Sequence, residues 1–120
     1  LNYKRGQEFK PHTDGFDGAT TACGFQDSGR IATVFCYLND VKAGGTTLFH
    51  KVGLEIEPKQ GMAVVHFPMS LDLVEDEMTE HQGSVAIDEK WILTTWIWKN
   101  WKADYRYAEE NIEALSDDII

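Results

Sequence analysis

A chain of 120 residues, 42% of them hydrophobic, is long enough for one folded domain with a single core, which excludes a disordered protein and a two-domain protein. The net charge of −9 argues against a nucleic-acid partner, because binding to phosphates requires a basic surface. Such a charge is typical of a self-repelling surface, and steering of a basic or neutral substrate is the alternative. The sequence shows no membrane segment and no secretory signal.

The first half of the chain predicts extended segments separated by turns. Residues 3–14 predict a strand that ends at His12 and Asp14. Residues 15–29 are rich in Gly and Asp, which is typical of a mobile loop. Residues 30–39 are β-branched and aromatic and predict a buried strand, and a shorter strand follows from residue 46.

The second half continues this pattern. Residues 52–58 and 62–67 predict two strands on either side of a tight turn that contains Pro and Gly. Residues 69–80 are acidic and predict a loop, and residues 81–85 and 91–98 predict a last hairpin. Seven or eight short strands without intervening helices indicate an all-β sandwich or barrel of the jelly-roll kind.

The composition changes near the end of the chain. We expect residues 1–102 to form the barrel core and residues 103–120 to form an acidic C-terminal tail. Residues 105–115 have helical character, so the tail would add a minor α component to the all-β core. Because the chain begins with Leu1 and a strand starts almost at once, we expect a piece of a longer protein. The compartment is therefore undecided, with the cytoplasm favoured, and the oligomeric state is unknown.

His12 and Asp14 form a candidate metal-binding pair. Side chains alternate along a strand, so residues two apart point to the same side. One imidazole and one carboxylate are two of the three ligands of a facial iron site, and His81 is the candidate for the third. The spacing alone is weak evidence, because chance can nearly supply it. Surface histidines and an aspartate in a turn are the alternative interpretation.

Lys90 heads the apolar strand predicted for residues 91–98. Burying an ammonium group costs free energy unless the charge meets an anion. By strand periodicity, Lys90 shares one face with Ile92, Thr94 and Trp96. If that face is interior, a dicarboxylate that also chelates the metal is the natural partner of the ammonium. The alternative is a lysine that extends to solvent at a hairpin turn.

A series of motifs in this chain resembles the prolyl 4-hydroxylase type of 2-oxoglutarate- and Fe(II)-dependent dioxygenases. The motifs are Tyr3 with Gly6 and Gln7, FKPHTD at residues 9–14, RIAT at 30–33, YLNDV at 37–41, GGTTLF at 44–49, PKQG at 58–61, His81, KW at 90–91 and TW at 95–96. They follow the family's order over roughly residues 1–98. The resemblance implies a double-stranded β-helix, a jelly-roll or cupin-like barrel, without the N-terminal helical layer that braces it in the family.

The resemblance also implies the chemistry. The Fe(II) ligands would be His12, Asp14 and His81. In this family O2 and 2-oxoglutarate, the cosubstrate, are consumed, 2-oxoglutarate becomes succinate and carbon dioxide, and an unactivated C–H bond is hydroxylated, with ascorbate as the reductant. The implied substrate is a prolyl residue in a peptide or protein, hydroxylated at C4.

Five further residues take implied roles around the iron. Lys90 would pair with the far carboxylate of 2-oxoglutarate, assisted by Thr47 and by the hydroxyl of Tyr3. Arg30 and Trp96 match positions that face the substrate. A charge at a strand edge and a core indole are the alternative interpretations of these two residues.

This chain departs from the family pattern in places, and other functions are possible interpretations. The segment after His81 lacks the Cys-Pro common in close relatives. His50 and His66 are interpreted as a loop residue and a strand residue, neither of them a ligand.

The alternative functions are hydroxylation of a free amino acid or another small molecule, and a catalytically silent barrel that serves as a binding module. A nucleic-acid demethylase is disfavoured by Lys90, where that group has arginine, and by the net charge.

Overall fold

The computed structural model describes residues 1–15 and 29–99, and in these ranges the chain is built almost entirely from antiparallel strands. The strands are β1 (Asn2–Tyr3), β2 (Phe9–His12), β3 (Arg30–Tyr37), β4 (Thr47–Phe49), β5 (Leu54–Ile56), β6 (Ala63–His66), β7 (His81–Gly83) and β8 (Lys90–Trp98). Two 3-10 turns, His50–Val52 and Glu77–Thr79, are the helical elements of the described residues. The predicted all-β, jelly-roll class is confirmed.

The strands form two sheets of four. Sheet one has the order β1-β8-β3-β6, and sheet two has the order β2-β7-β4-β5. The long strands β3 and β8 form the centre of sheet one, and their register places Thr33 opposite Trp96 and Phe35 opposite Thr94. Thr33 and Phe35 are buried, which fits a sequence in which β-branched and aromatic residues alternate toward the core.

The outer face of sheet one is also apolar. Trp91, Leu93 and Ile97 of β8 are 46%, 58% and 48% exposed, whereas Lys90 at the start of the same strand is 1% exposed. This alternation confirms that the face shared by Lys90 is interior. It also leaves an apolar outer surface that the described residues do not cover.

Two predicted elements were wrong. The predicted strand over residues 3–14 is two strands in different sheets, because the chain turns at Gly6, where φ is +85°. The predicted last hairpin does not exist either, because β7 belongs to sheet two and β8 to sheet one. The two crossing segments bind each other: Gly6 N donates to the carbonyl of Ala86 at 2.7 Å, and Ala86 N donates to the carbonyl of Gln7 at 2.9 Å.

Other predictions fall on residues that the structure does not describe. Most of the predicted loop at 15–29, the domain boundary at residue 102 and the helical tail within residues 103–120 lie outside the described ranges, and they stay predictions. Across residues 1–15 and 29–99, no helix has the length and apolar character needed to cross a bilayer.

Candidate active site

A cavity of about 150 Å³ is lined by residues of both sheets. Its wall includes every residue that the sequence predicted for the site, namely Tyr3, His12, Asp14, Arg30, Thr47, His81, Lys90 and Trp96. Apolar side chains, among them Phe9, Phe35 and Ile92, form much of the remaining wall. The predicted residues therefore converge on one place, although they are spread over most of the chain.

The three predicted metal ligands form a compact group. His12 ends β2 and pairs directly with His81, the first residue of β7, and their ring centroids are 4.5 Å apart. Asp14 follows two residues after His12, is buried, and places Oδ1 3.5 Å from His12 Nε2. One ligand atom from each of the three residues lies within 4.8 Å of the others. Strand pairing alone thus brings the two histidines together.

Backbone carbonyl groups orient both imidazoles. His12 Nδ1 lies 2.7 Å from the carbonyl oxygen of Lys10, and His81 Nδ1 lies 3.0 Å from that of Thr79. A carbonyl oxygen can only accept, so each Nδ1 donates its proton and each Nε2 keeps a free lone pair. This is how metal-binding histidines are usually held.

The protonation states also suit a metal site. Burial alone would raise the pKa of Asp14, but contacts with His12 and His66 more than offset this effect. The Thr33 hydroxyl acts in the same direction, so the pKa of Asp14 lies well below its usual range. Burial lowers the pKa of His81. The site therefore offers an ionised carboxylate and a neutral imidazole, the forms in which these groups bind metals.

The donor set fits Fe(II). Two imidazole nitrogens and one carboxylate oxygen are the ligands of a facial triad, which leaves other positions open for additional ligands. His12, Asp14 and His81 provide this set with the ring nitrogens already oriented.

Lys90 provides a buried cation on the same cavity wall. Its side chain is 1% exposed, and Nζ donates to the carbonyl of Gly45 at 2.7 Å and lies 4.5 Å from the ring centroid of Tyr3. Burial lowers the pKa of Lys90 to about 8. Within the described ranges, no carboxylate forms an ion pair with this ammonium. A buried cation without a counter-charge fits an anionic ligand such as the far carboxylate of 2-oxoglutarate.

Thr47 and Tyr3 flank the ammonium. Tyr3 pairs with Lys90 across β1 and β8, and burial raises the pKa of its phenol, as does the charge of Asp14, so the hydroxyl stays protonated. Thr47 Oγ1 lies 2.7 Å from the hydroxyl of Tyr37. Tyr37 is 1% exposed and is absent from the cavity wall, so it acts behind Thr47. Tyr3 and Thr47 thus line the same cavity as the ammonium, and hydroxyl groups beside an ammonium suit a carboxylate ligand.

Arg30 and Trp96 form a stacked pair. The guanidinium carbon of Arg30 lies 4.0 Å from the ring centroid of Trp96 and 5.2 Å from that of Trp98. Trp96 is 41% exposed, so it is not the core indole of the alternative interpretation. The pair thus gives the cavity wall an exposed aromatic surface next to a cation. Its role in substrate binding stays a prediction.

His66 is the polar neighbour of the site that sequence reasoning missed. The prediction of a strand residue is confirmed, since His66 ends β6, but the ring is buried and Nε2 lies 3.2 Å from Asp14 Oδ2. One feature of the sequence could have indicated this contact: His66 directly follows three apolar residues of β6. A histidine buried with such a strand needs a polar partner. His50, which was predicted to be a loop residue, is exposed and lies in a short 3-10 turn.

Comparisons with known proteins point to the same family as the residues that line the cavity. The family model described as "2OG-Fe(II) oxygenase superfamily" matches residues 1–98. "Probable prolyl 4-hydroxylase 10" of Arabidopsis thaliana is 36% identical over an alignment of 118 residues, and the match covers 81% of this chain and 40% of that protein. Prolyl 4-hydroxylase subunit alpha-1 of Homo sapiens is 35% identical over 100 residues, which cover 80% of this chain and 18% of that protein.

A solved structure supports the same relationship. The viral collagen prolyl hydroxylase of Paramecium Bursaria Chlorella virus-1, solved as a 2OG complex, has a TM-score of 0.71 and 31% sequence identity. The match covers 82% of this chain and 55% of the viral chain. Fold and site define an iron- and 2-oxoglutarate-binding barrel. The chain belongs to the 2OG-Fe(II) oxygenase superfamily, and it spans less than half the length of the two curated relatives described above.

Proposed function

We propose that this chain is the catalytic barrel of a 2-oxoglutarate- and Fe(II)-dependent dioxygenase that hydroxylates C4 of a prolyl residue in a peptide or protein. The observation that carries the proposal is the convergence of the candidate iron ligands, the buried Lys90 and the Arg30–Trp96 pair on one cavity. The names of the relatives, which are prolyl 4-hydroxylases and a collagen prolyl hydroxylase, support the prolyl substrate.

Three side chains would hold the iron: His12 and His81 through Nε2, and Asp14 through its carboxylate. When Fe(II) and 2-oxoglutarate are bound, they supply the oxidation, in which one atom of O2 enters succinate, the other becomes the product hydroxyl, and carbon dioxide leaves. The chain contributes the fixed orientation of its ligands, since both rings are anchored at Nδ1.

Lys90 and Thr47 would orient the cosubstrate. The ammonium is held by the carbonyl of Gly45 and the hydroxyl by Tyr37, so neither group must be ordered when the dicarboxylate binds. Phe9, Phe35 and Ile92 line the cavity and limit the water that can reach the reacting atoms.

Trp96 and Arg30 would contact the substrate. Proline-rich segments bind to aromatic surfaces because their extended conformation is preformed and their rings are apolar. The exposed indole of Trp96 offers such a surface beside the cavity, and Arg30 stacks on it. This arrangement supports a peptide substrate over a free amino acid, whose charged termini the indole would not match.

A product assay tests the proposal. The protein is incubated with Fe(II), 2-oxoglutarate, ascorbate and O2, and with either a proline-rich peptide or free proline. We expect the peptide to gain the mass of one oxygen, with one succinate per hydroxyl, and Asp14→Asn to show neither product. Hydroxylation of free proline alone would favour the small-molecule alternative. Cosubstrate and metal binding without any succinate would favour the binding module.

A further inference from the structure

Asp14 presents its two oxygens to two different histidines. Oδ1 lies 3.5 Å from His12 Nε2, in the group of candidate ligands, whereas Oδ2 lies 3.2 Å from His66 Nε2. A carboxylate that binds a metal through one oxygen still needs a hydrogen-bond donor at the other. His66 is placed at that second oxygen.

The surroundings of His66 leave Asp14 as its polar partner. The ring is 7% exposed, and its centroid lies 5.5 Å from that of Phe49 and 6.3 Å from that of Phe35. Among the described residues, neither ring nitrogen makes a well-aligned hydrogen bond, although Nε2 already lies within donor distance of Oδ2. The ring centroid of His66 also lies 4.8 Å from that of His81, so the buried imidazole meets the Asp14 carboxylate with one nitrogen and packs among the rings of His81, Phe49 and Phe35.

His66 differs from the two ligand histidines in the nitrogen that it uses. His12 and His81 bind backbone carbonyls through Nδ1, which leaves Nε2 for a metal. In His66 it is Nε2 that meets the carboxylate, and Nδ1 is buried without a protein partner in the described ranges. Because an ionised carboxylate only accepts, the proton belongs on Nε2 of His66, which then has no lone pair there for a metal.

The fold explains why His66 can orient Asp14. His66 ends β6 and pairs with Thr33 of β3, whose hydroxyl also contacts Asp14. Both residues belong to sheet one, whereas Asp14 directly follows β2 of sheet two. The candidate iron ligand Asp14 thus lies beyond the end of its strand, with His66 of the opposite sheet 3.2 Å from its Oδ2.

We propose that His66 is a positioning residue that donates from Nε2 to Oδ2 of Asp14 and so directs Oδ1 toward the metal. This inference rests on the metal site of the proposed function but not on its substrate. A donor at Oδ2 leaves Oδ1 free for the metal, and the contact holds the angle of a side chain that strand geometry does not fix.

Metal binding without turnover tests the inference. Co(II) is titrated into the wild type and into His66→Phe, which keeps an aromatic ring between Phe35 and Phe49 but removes the donor. We expect the Kd for Co(II) to rise by roughly 10- to 100-fold, the usual effect of losing an outer-shell partner of a ligand. His66→Gln, which can place an amide N–H near the position of Nε2, should recover most of the affinity.

Further readouts separate positioning from folding and from direct ligation. The visible spectrum of bound Co(II) should change in His66→Phe and return toward the wild type in His66→Gln, while urea unfolding of the metal-free variants shows that both fold. His50→Phe, which changes an exposed histidine, should bind Co(II) like the wild type.

Three results would overturn the inference. Equal Co(II) affinity in the wild type and His66→Phe would show that the contact does not support the metal. Loss of binding in both His66 variants, as severe as in His81→Ala, would make His66 a ligand. Absence of Co(II) binding in the wild type would remove the metal site itself, and with it the proposed function. A wrong substrate would leave all of these readouts unchanged, so the two proposals fail separately.

Discussion

Lys90 is the residue whose charge links cosubstrate binding to pH. Burial lowers its pKa to about 8, so the free protein loses this proton at lower pH than an exposed lysine would. Only the ammonium form attracts a carboxylate, so affinity for 2-oxoglutarate should fall as pH rises through that value. For a single group with this pKa, we expect the Kd to rise roughly tenfold between about pH 7 and about pH 9, measured by anaerobic calorimetry with Mn(II) present.

Substitutions of Lys90 separate the effect of its charge on the Kd for 2-oxoglutarate from other effects of pH on that Kd. Lys90→Arg keeps its charge over this range, so its Kd for 2-oxoglutarate should change much less with pH. Lys90→Ala should raise the 2-oxoglutarate requirement while leaving the metal ligands in place. A wild-type Kd that does not change with pH, or an unchanged requirement in Lys90→Ala, would show that the cosubstrate carboxylate lies elsewhere.

Asp14 is the candidate metal ligand that carries a negative charge. In the wild type, Mn(II) should raise the thermal unfolding midpoint, because it binds the folded state alone. Asp14→Asn keeps the shape of the side chain but loses the charge, so we expect this stabilisation to disappear along with turnover, and His12→Ala to behave similarly. Differential scanning calorimetry with and without Mn(II) measures the shift. A full metal-induced shift in Asp14→Asn would exclude Asp14 as a ligand.

Tyr37 lies outside the cavity wall and supports Thr47, a predicted cosubstrate contact, through a hydrogen bond. Tyr37→Phe removes the 2.7 Å hydrogen bond to Thr47 without changing the cavity wall. We expect a loss of about 1 kcal/mol in the free energy of unfolding and a Kd for 2-oxoglutarate that is several-fold weaker. Thr47→Val, which removes the hydroxyl itself, should weaken binding more. If Tyr37→Phe lowers stability but leaves the Kd unchanged, Tyr37 serves the core alone.

The sequence predicted the residues of the cavity better than their contacts. Spacing and motif order singled out His12, Asp14 and His81, because ligand chemistry restricts which side chains can serve. The contact of His66 with Asp14 could not be predicted in the same way. It depends on the register of β6 against β3 and on the sheet that faces Asp14, neither of which strand periodicity reveals.

At the scale of elements, the crossing between sheets depends on Gly44. Its φ is +67°, and a Cβ there would approach the carbonyl oxygen of Val85 and lie 2.8 Å from Ile87 N. Gly44 also pairs with Ala86 in the segment that leads from β7 to β8. A side chain at this position would therefore push against the backbone of the crossing segment.

Gly44→Ala and Gly53→Ala form a matched pair. Gly53 has nearly the same φ, +66°, but nothing lies within 4 Å of a Cβ built there. We expect Gly53→Ala to cost about 1 kcal/mol, for backbone strain alone, and Gly44→Ala to cost clearly more, because the collision adds to it. Urea unfolding measures both. Equal losses in the free energy of unfolding would mean that the crossing segment can move away from the new Cβ without destabilising the fold.

The crossings are also where element prediction failed. β-Branched and aromatic residues predicted the strand at β3, and the turn at residues 58–61 and the apolar run at 91–98 predicted the strands at β6 and β8. The segments at 4–8 and 84–89 join strands of different sheets, and two backbone hydrogen bonds, from Gly6 N to Ala86 and from Ala86 N to Gln7, join the segments to each other. Nothing in the local sequence distinguishes such a crossing from a continuous strand or a hairpin, because the difference lies in long-range pairing.

At the largest scale, the two four-stranded sheets of the described residues enclose the cavity between them. Sheet two carries His12 and His81 and leads into Asp14, whereas sheet one carries Lys90, Thr33 and His66. The candidate iron ligands and the candidate cosubstrate anchor thus come from opposite walls. This division explains why the predicted residues, although separated in sequence, face one another only when the barrel is assembled.

A crystal structure of the protein with Mn(II), as a stand-in for Fe(II) that does not react with O2, and 2-oxoglutarate tests this assembly most directly. We expect the anomalous signal of the metal between His12 Nε2, His81 Nε2 and the Asp14 carboxylate, with the far carboxylate of 2-oxoglutarate about 3 Å from Lys90 Nζ. A metal bound by other residues, or a dicarboxylate that leaves Lys90 bound to Gly45 alone, would contradict the account.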